Sequence, residues 1–513
     1  MEFEAVIGLE VHAELETESK MFCACPVVDP LAAEPNCAVC PVCAGMPGVL
    51  PVLNEKAVEY GIRVALALQC EISTTSIFVR KNYFYPDLPK GYQISQYEHP
   101  LAQSGRLPIL TSKGERLITI RRVHLEEDTG KLTHVSRNNK PYSLIDLNRA
   151  GIPLLEIVSE PELRTAEEVR AYAVGLRSLL RYLGVNSGDM QKGVIRIEPN
   201  VSVRVSGETQ LGTRVEIKNL NSFRALERAV DYEIQRQSKL LAEGKPVIQE
   251  TVGWDAVYET TLTQRIKESE QDYRYFPEPD LPPLVISPDW IERIREDLPE
   301  LPAEKCHRFQ QQYDLSPYDA GVLVAEKPVA EYFEQTVNAV KKLCSEQSDQ
   351  ASHLKGVKDF TSIEAITPKS VANWITGEVF ALLNQTKTNI ETTHLTPQAL
   401  AYLIYKVSEG ELNKNTAREV LTEMFQTGKT ADEIIRERGL AQISDISIIS
   451  QLVAKSLIQN PEQVSEYLVG KEAIFRWLFG EVMRASKGQA NPRIVREELQ
   501  RQLKVLQDEV GGN

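Results

Sequence analysis

Ile7-Gly-Leu-Glu-Val-His-Ala-Glu-Leu15 is the stretch on which the architecture turns. Ile7, Leu9, Val11, Ala13 and Leu15 alternate with Gly8, Glu10, His12 and Glu14, and this period of two predicts a strand with one apolar and one ionisable face. The alternation returns from Ile118 to Glu126, where Arg122, His124 and Glu126 share a side. It returns again in Val194–Val205, where Arg196, Glu198, Asn200, Ser202 and Arg204 oppose Ile195, Ile197, Val201, Val203 and Val205. Thr213–Lys218 alternates after a loop holding Gly207 and Gly212, so the last two segments are expected to form an antiparallel hairpin. One face of such a sheet can stay wet. For any single strand, a solvated outer face accounts for the polar row. The recurrence of Glu, His, Arg and Asn across three strands is what points to chemistry.

Helices announce themselves by their ends. Thr165-x-x-Glu168 reads as a capping box, Val169, Tyr172, Leu176, Leu179 and Leu183 follow as an apolar stripe, and Gly184 closes it. Ser222 heads a second helix ending near Gly244. The strap Pro277-Glu-Pro-Asp-Leu-Pro-Pro283 cannot be helix interior. Beyond it, Thr396-Pro397, Thr416-x-x-Glu419, Thr430-x-x-Glu433, Asn460-Pro461 and Asn491-Pro492 mark five expected helix starts. The fold class expected is α+β: a cradle with a largely antiparallel sheet over residues 1–290, a helical domain over 291–405, and a helical tail over 406–513.

Composition narrows the function. With 513 residues, 42% hydrophobic and 25% charged, the chain can bury several cores, and disordered or collagen-like classes fit poorly. No apolar run approaches the roughly 20 residues of a membrane helix, and acids stand where a signal peptide carries bases, so a cytoplasmic protein without a membrane partner is expected. The charge, 58 − 72 = −14, argues against a generally basic nucleic-acid coat but allows a local basic groove.

Five of eight cysteines, Cys23, Cys25, Cys37, Cys40 and Cys43, fall together. Cys23-Ala-Cys25 and Cys40-Pro-Val-Cys43 suit four-thiolate zinc, with Cys37 spare; reduced loop thiols are the bland alternative. His124-Leu-Glu-Glu-Asp-x-Gly-Lys131 sets three carboxylates in a row. Either they exit a strand into solvent, or a divalent cation relieves their repulsion, in which case oxygen ligands favour magnesium and hence phosphate chemistry. Arg80-Lys-Asn-Tyr-Phe-Tyr-Pro-Asp-Leu-Pro-Lys-Gly-Tyr-Gln93 and Asp272-Tyr-Arg-Tyr-Phe-Pro-Glu-Pro-Asp280 mix bases with aromatics, a composition that binds phosphate and stacks on sugar or base, or packs against its own sheet. There is no complete phosphate-binding loop, no G-x-S-x-G elbow and no Cys-His glutaminase arrangement. The chain does not make its own nucleophile.

Taken together, these blocks resemble the B-subunit family of the tRNA-dependent amidotransferases, the glutamyl/aspartyl-tRNA(Gln/Asn) enzymes. The resemblance rests on Val6–His12, Cys40–Cys43, Arg80–Asp87, Gly91–Gln96, His124–Lys131, Asp146-x-Asn-Arg149, Leu155–Pro161, Lys218–Phe223, Asp272–Asp280 and Gly488–Pro492, which span essentially the whole chain. It implies a carbon–nitrogen ligase using ATP and Mg2+ to phosphorylate the side-chain carboxylate of misacylated Glu-tRNA(Gln) or Asp-tRNA(Asn). Ammonia then comes from an amidase-type glutaminase subunit, within a heterotrimer completed by a third, small subunit.

Carried over by position, Glu10, His12, Glu126 and Glu127 are the implied catalytic residues, with Glu10, His12, Glu126 and Asp128 as magnesium ligands and Glu156 and Glu160 as further members. Lys81, Tyr83, Lys90 and Arg274 match the phosphate site or ammonia entrance. Cys23, Cys25, Cys40 and Cys43 match the structural zinc. The tail, resembling a small free-standing helical protein of the YqeY type, implies tRNA binding through Arg484, Lys487 and Arg493. A non-catalytic tRNA-binding scaffold with structural zinc is the competing reading. Two positions depart from the family pattern: Lys192 reverses an expected acid, and Pro199 predicts an edge strand or a bulge.

Overall fold

The computed structural model describes residues 2–29, 32–137, 140–266, 273–352, 366–440, 445–471, 473–486 and 489–511. It divides into two compact units, Met1–Lys305 and Cys306–Asn513.

The first unit is built on a nine-stranded sheet. Across it the strands run Thr260–Ile266, Glu250–Asp255, Val215–Lys218, Ile195–Val205, Phe3–Glu14, Pro153–Ser159, Gly114–Glu127, Ala102–Thr111 and Glu71–Ile72. Every ladder is antiparallel except that between Val215–Lys218 and Glu250–Asp255. The alternation of the first strand is realised: Ile7, Leu9, Val11 and Ala13 are fully buried. They join one apolar cluster with residues of three helices, Glu55–Ala67, Ala166–Tyr182 and Phe223–Ala242, among them Ile62, Leu176 and Leu226. These helices therefore take the apolar side of the sheet and leave the ionisable side to the site.

Asn54, Thr165 and Ser222 cap the three helices, each accepting a backbone N–H from the first turn. The box at Thr165 is shifted: the Glu168 carboxylate accepts from the N–H of Arg164, one residue before the cap. The hairpin of Ile195–Val205 with Val215–Lys218 forms as expected. Its proline does not lie on an edge strand, because Ile195–Val205 sits between two neighbours. The ladder to Val215–Lys218 covers Asn200 and Val201 and stops at Pro199, so no neighbour on that side asks the imide for a proton.

A small sheet of Phe78–Asn82, Tyr92–Gln96 and Phe276–Pro277 joins the two aromatic, basic blocks. Arg80 clamps Glu278 through two 2.8 Å hydrogen bonds and lies 4.2 Å from the Tyr92 ring centroid. A bidentate pair of this kind, its carboxylate buried and its guanidinium half-buried, fixes the proline strap in register.

The second unit is helical, with apolar clusters spanning Phe309–Ile435 and Ile449–Leu503. Thr396, Thr430, Pro461 and Pro492 begin helices where the sequence placed them. Thr416 does not. The helix Lys414–Thr427 is capped by Asn413, and the N–H of Thr416 itself donates to the Asn413 side chain at 2.9 Å. Thr416-x-x-Glu419 thus lies inside the helix, where an asparagine three residues earlier has already taken the cap. Among the described residues, no helix is long and apolar enough to cross a membrane.

Candidate active site and metal centre

Strand register assembles the site. Arg196, His12, Glu156 and His124 face one another across four adjacent strands, and paired residues of antiparallel strands point to one side. On one flank of this row lie Glu14 and Glu126; on the other lie Glu198 and Glu10. His12 Nε2 is 3.3 Å from Glu156 and 4.0 Å from Glu126, and His124 Nε2 is 3.3 Å from Glu156 and 3.9 Å from Glu126. Ser95 Oγ donates to Glu126 at 3.0 Å from the small sheet. Glu10 belongs to a second group: its carboxylate, with those of Glu198 and Glu216, offers oxygens all within 4.8 Å. His12, Glu126 and Glu156 form a group of the same span. Asn200 donates to Glu10 at 3.2 Å, and Lys218 Nζ lies 2.9 Å from Glu198.

Acids packed this closely change one another's chemistry. Burial lowers the His12 imidazole, but the Glu156 hydrogen bond and the charges of Glu156, Glu198 and Glu126 prevail and push it up to about 9. Burial works against the Glu156 charge, yet His124 and His12 hold that carboxyl well below the usual range. Glu10 goes the other way, raised by burial and by repulsion from Glu156, Glu216 and Glu198. A cation beside Glu10, Glu198 and Glu216 would relieve that repulsion, and an all-oxygen set suits magnesium. The buried Nδ1 atoms of His12 and His124 have no hydrogen-bond partner, so the face holds unspent polar capacity.

The other sequence candidates surround this face. Lys81 lies 5.2 Å from the Tyr273 ring centroid; burial lowers its ammonium, but Glu126 and Glu156 raise it beyond its ordinary value. Burial pushes the Tyr83 phenol up, and its ring meets Tyr273 edge-on at 6.0 Å. Lys90 is bonded to Glu127, whose carboxylate also accepts the N–H of Ile94 at 3.0 Å. Asp128 lies in neither carboxylate group. Arg196 at 2.8 Å and Arg149 at 3.8 Å hold its carboxyl below the usual range against the effect of burial. Glu160 turns away to a bidentate pair with Arg121. Arg274 is exposed at a left-handed φ of 44°, its carbonyl held by Asn82 at 2.8 Å. Lys192 forms an exposed pair with Asp29 at 2.9 Å.

The sulfurs of Cys23, Cys25, Cys40 and Cys43 lie within 4.8 Å of one another, and Cys43 is 3.9 Å from Cys25 and 3.8 Å from Cys40. A tetrahedral zinc with bonds of about 2.3 Å requires sulfur–sulfur edges of about 3.8 Å, and the two edges that Cys43 makes to Cys25 and Cys40 match that length. Cys37 is exposed and outside the group. A hydrogen bond from Cys23 holds the Cys43 thiol down to about 4, while that bond and burial push Cys23 up.

In the second unit, Arg484 is exposed and pairs with Glu481 at 2.9 Å. Arg493 stands in the first turn of the helix Pro492–Gly511. Lys487 lies outside the described residues.

His124, Glu198 and Glu216 were not among the site residues expected from the sequence, yet the structure brings them into or beside the two groups. Alternation placed the first two on the polar face, but only the pairing of Asn200 with Glu216 brings the third beside Glu10.

Comparison with known proteins gives the geometry its family. Residues 5–292 match the GatB/GatE catalytic domain and residues 359–503 the GatB domain. The chain is 49% identical to the B subunit of the aspartyl/glutamyl-tRNA(Asn/Gln) amidotransferase of Thermodesulfovibrio yellowstonii, over 97% of this chain and 98% of that protein. It is 48% identical to the protein of the same name from Dehalococcoides mccartyi strain 195 and 45% identical to that of Thermotoga maritima, each over 98% of this chain and 99% of the relative. The face of paired carboxylates and histidines and the four-cysteine cage thus lie within the region matched to a catalytic domain, and the chain belongs to the family of aspartyl/glutamyl-tRNA(Asn/Gln) amidotransferase B subunits.

Proposed function

We propose that this chain activates the side-chain carboxylate of Glu-tRNA(Gln), Asp-tRNA(Asn) or both by ATP-dependent phosphorylation and passes it to ammonia, as the B component of a cytoplasmic A–B–C heterotrimer in which A is the glutaminase and C the small partner. The observation that carries this reading is the row Arg196–His12–Glu156–His124 flanked by Glu126 and the Glu10 group. Burying so many ionisable groups is costly and adds little to stability, so a scaffold has no use for them.

A carboxylate is a poor acyl donor because its leaving group is oxide. Attack of its oxygen on the γ-phosphorus of ATP, with loss of ADP, replaces oxide by phosphate. Ammonia then attacks the acyl carbon, the carbon–oxygen bond to phosphate breaks, and the nitrogen gives up a proton. Magnesium with ATP supplies neutralised phosphate oxygens that an anionic substrate can approach. We place magnesium on Glu10, Glu198 and Glu216, and a second cation, where one binds, on His12, Glu126 and Glu156. Lys81, held among Glu126, Glu156 and the tyrosines, positions the transferring phosphoryl group. Glu127 with Lys90 takes the ammonia side, where the Glu127 carboxylate accepts the surplus proton as a base. Zinc in the cysteine cage is structural. The tail meets tRNA through Arg484, Lys487 and Arg493, and the Pro492–Gly511 helix start presents further donors to phosphate.

The test is ATP hydrolysis by the A–B–C complex with and without Glu-tRNA(Gln), comparing wild type with Glu126→Gln at matched thermal stability. We expect misacylated tRNA to stimulate turnover and the variant to lose about 100-fold, equivalent to about 2.7 kcal/mol of barrier. Wild-type turnover by the variant would remove Glu126 from the chemistry.

A further inference from the structure

Lys20 is fully buried, which is rare for a lysine outside an ion pair. Its ammonium donates to the carbonyls of Ala38 at 2.8 Å and Leu147 at 3.2 Å, and its remaining contact is the sulfur of Cys43 at 3.7 Å. Among the described residues no carboxylate stands within ion-pair distance of it, so the one group able to balance its charge is that sulfur. Cys43 is in turn the buried member of the cage, and it also accepts the N–H of Cys40 at 3.1 Å.

Four thiolates around a divalent ion carry a net charge of −2, and the share of it on the buried Cys43 sulfur, unlike that on its three half-exposed partners, is shut off from water and gains from a partner. Two carbonyls alone could be bridged by a neutral amide or a water. An anionic sulfur gains more from an ammonium than from either, and the buried lysine brings that charge to Cys43.

We propose that Lys20 is the counter-cation of the cysteine cage, lowering its net charge from −2 to −1 and thereby retaining the metal. This inference rests on the reading that the four cysteines hold a thiophilic divalent ion, and it assigns a residue outside the ligand set. The same ammonium pins the cage to the turn at Leu147, which continues into Gly151. There, a Cβ would stand 3.5 Å from Cys43 Cβ, 3.6 Å from Lys20 Cδ and 3.9 Å from a Glu127 carboxylate oxygen. The cage and the Lys90–Glu127 pair therefore share a wall.

The experiment uses the full chain loaded with zinc, with Lys20→Gln, which keeps donors and loses charge, Lys20→Met, which keeps the stem, and Lys20→Arg, which keeps the charge. Affinity is read by competition with a chromophoric zinc chelator, and thermal unfolding is followed with and without zinc. We expect the Gln and Met variants to bind zinc about 10- to 100-fold more weakly, the size of effect that outer-sphere partners of metal ligands have. Their zinc-dependent rise in melting temperature shrinks accordingly, while Arg keeps most of both. Wild-type affinity in the Gln or Met variant overturns the proposal. So does an equal loss of melting temperature with and without zinc, or chains left unfolded whether zinc is present or not, since each marks a lysine needed for packing alone. A wild-type chain that takes up no zinc overturns the cage reading along with it.

Discussion

His12 shows how one side chain's charge is set by its row. In the chain without magnesium its folded-state pKa of about 9 stands above the ordinary 6.5, so proton binding favours the fold. That stabilisation is complete below about 6.5 and is lost as pH rises through about 9. Glu14, pushed up to about 8 by burial and by Asp128, acts in the same direction, because its protonated form is also the one the fold prefers. The urea midpoint of the zinc-loaded, magnesium-free chain should therefore decline between about pH 4.5 and about pH 9. His12→Gln removes the imidazole but not Glu14, so its decline should be shallower, and parallel curves would refute the shift. Glu10, His12 and Glu126 were legible in the sequence because a strand's period of two puts them on one face. Their division into two carboxylate groups was not. It follows from Glu10 facing Glu198, a register between strands far apart in the chain that no local pattern encodes, combined with the hairpin pairing of Asn200 with Glu216.

At the scale of elements, caps and turns read well and close approaches did not. Thr165, Ser222, Thr396 and Thr430 were found because capping is written within four residues. Thr416 was misread because it shares that pattern while Asn413 supplies the cap, and Pro199 because ladder length cannot be seen from one strand. Gly105 is a close approach of this hidden kind. It lies in the strand Ala102–Thr111 where the chain leaving the helix Glu55–Ala67 crosses. A Cβ there would stand 2.3 Å from Cys70 Sγ and 2.8 Å from the carbonyl of Leu68, which accepts the N–H of Arg106 at 2.7 Å. Gly105→Ala should destabilise the first unit by about 1–3 kcal/mol, the usual cost of overpacking, seen as a lower urea midpoint. Adding Cys70→Ala removes the sulfur but not the carbonyl and should recover part of the loss. An unchanged midpoint in the single variant would mean that the strand moves aside freely.

For the whole molecule, the decisive feature is what the chain supplies and what it must be given. It offers carboxylates, histidines and lysines to activate an acid, but its sequence carries no recognised motif for releasing ammonia from glutamine. Activation and amide formation should therefore separate from ammonia supply. With an A–B–C complex whose glutaminase nucleophile is disabled, added ammonium salt should restore conversion of Glu-tRNA(Gln) to Gln-tRNA(Gln), still dependent on ATP. Only the unprotonated amine attacks an acyl phosphate, so this restored rate should climb about tenfold per pH unit below the pKa of ammonium. The glutamine-driven rate of the intact complex should be much flatter, because ammonia passed directly between subunits is not exposed to bulk protons. Equal pH slopes would mean that ammonia equilibrates with solvent before it reaches the acyl phosphate. Failure of ammonium to rescue while ATP is still hydrolysed would move amide formation itself away from this chain.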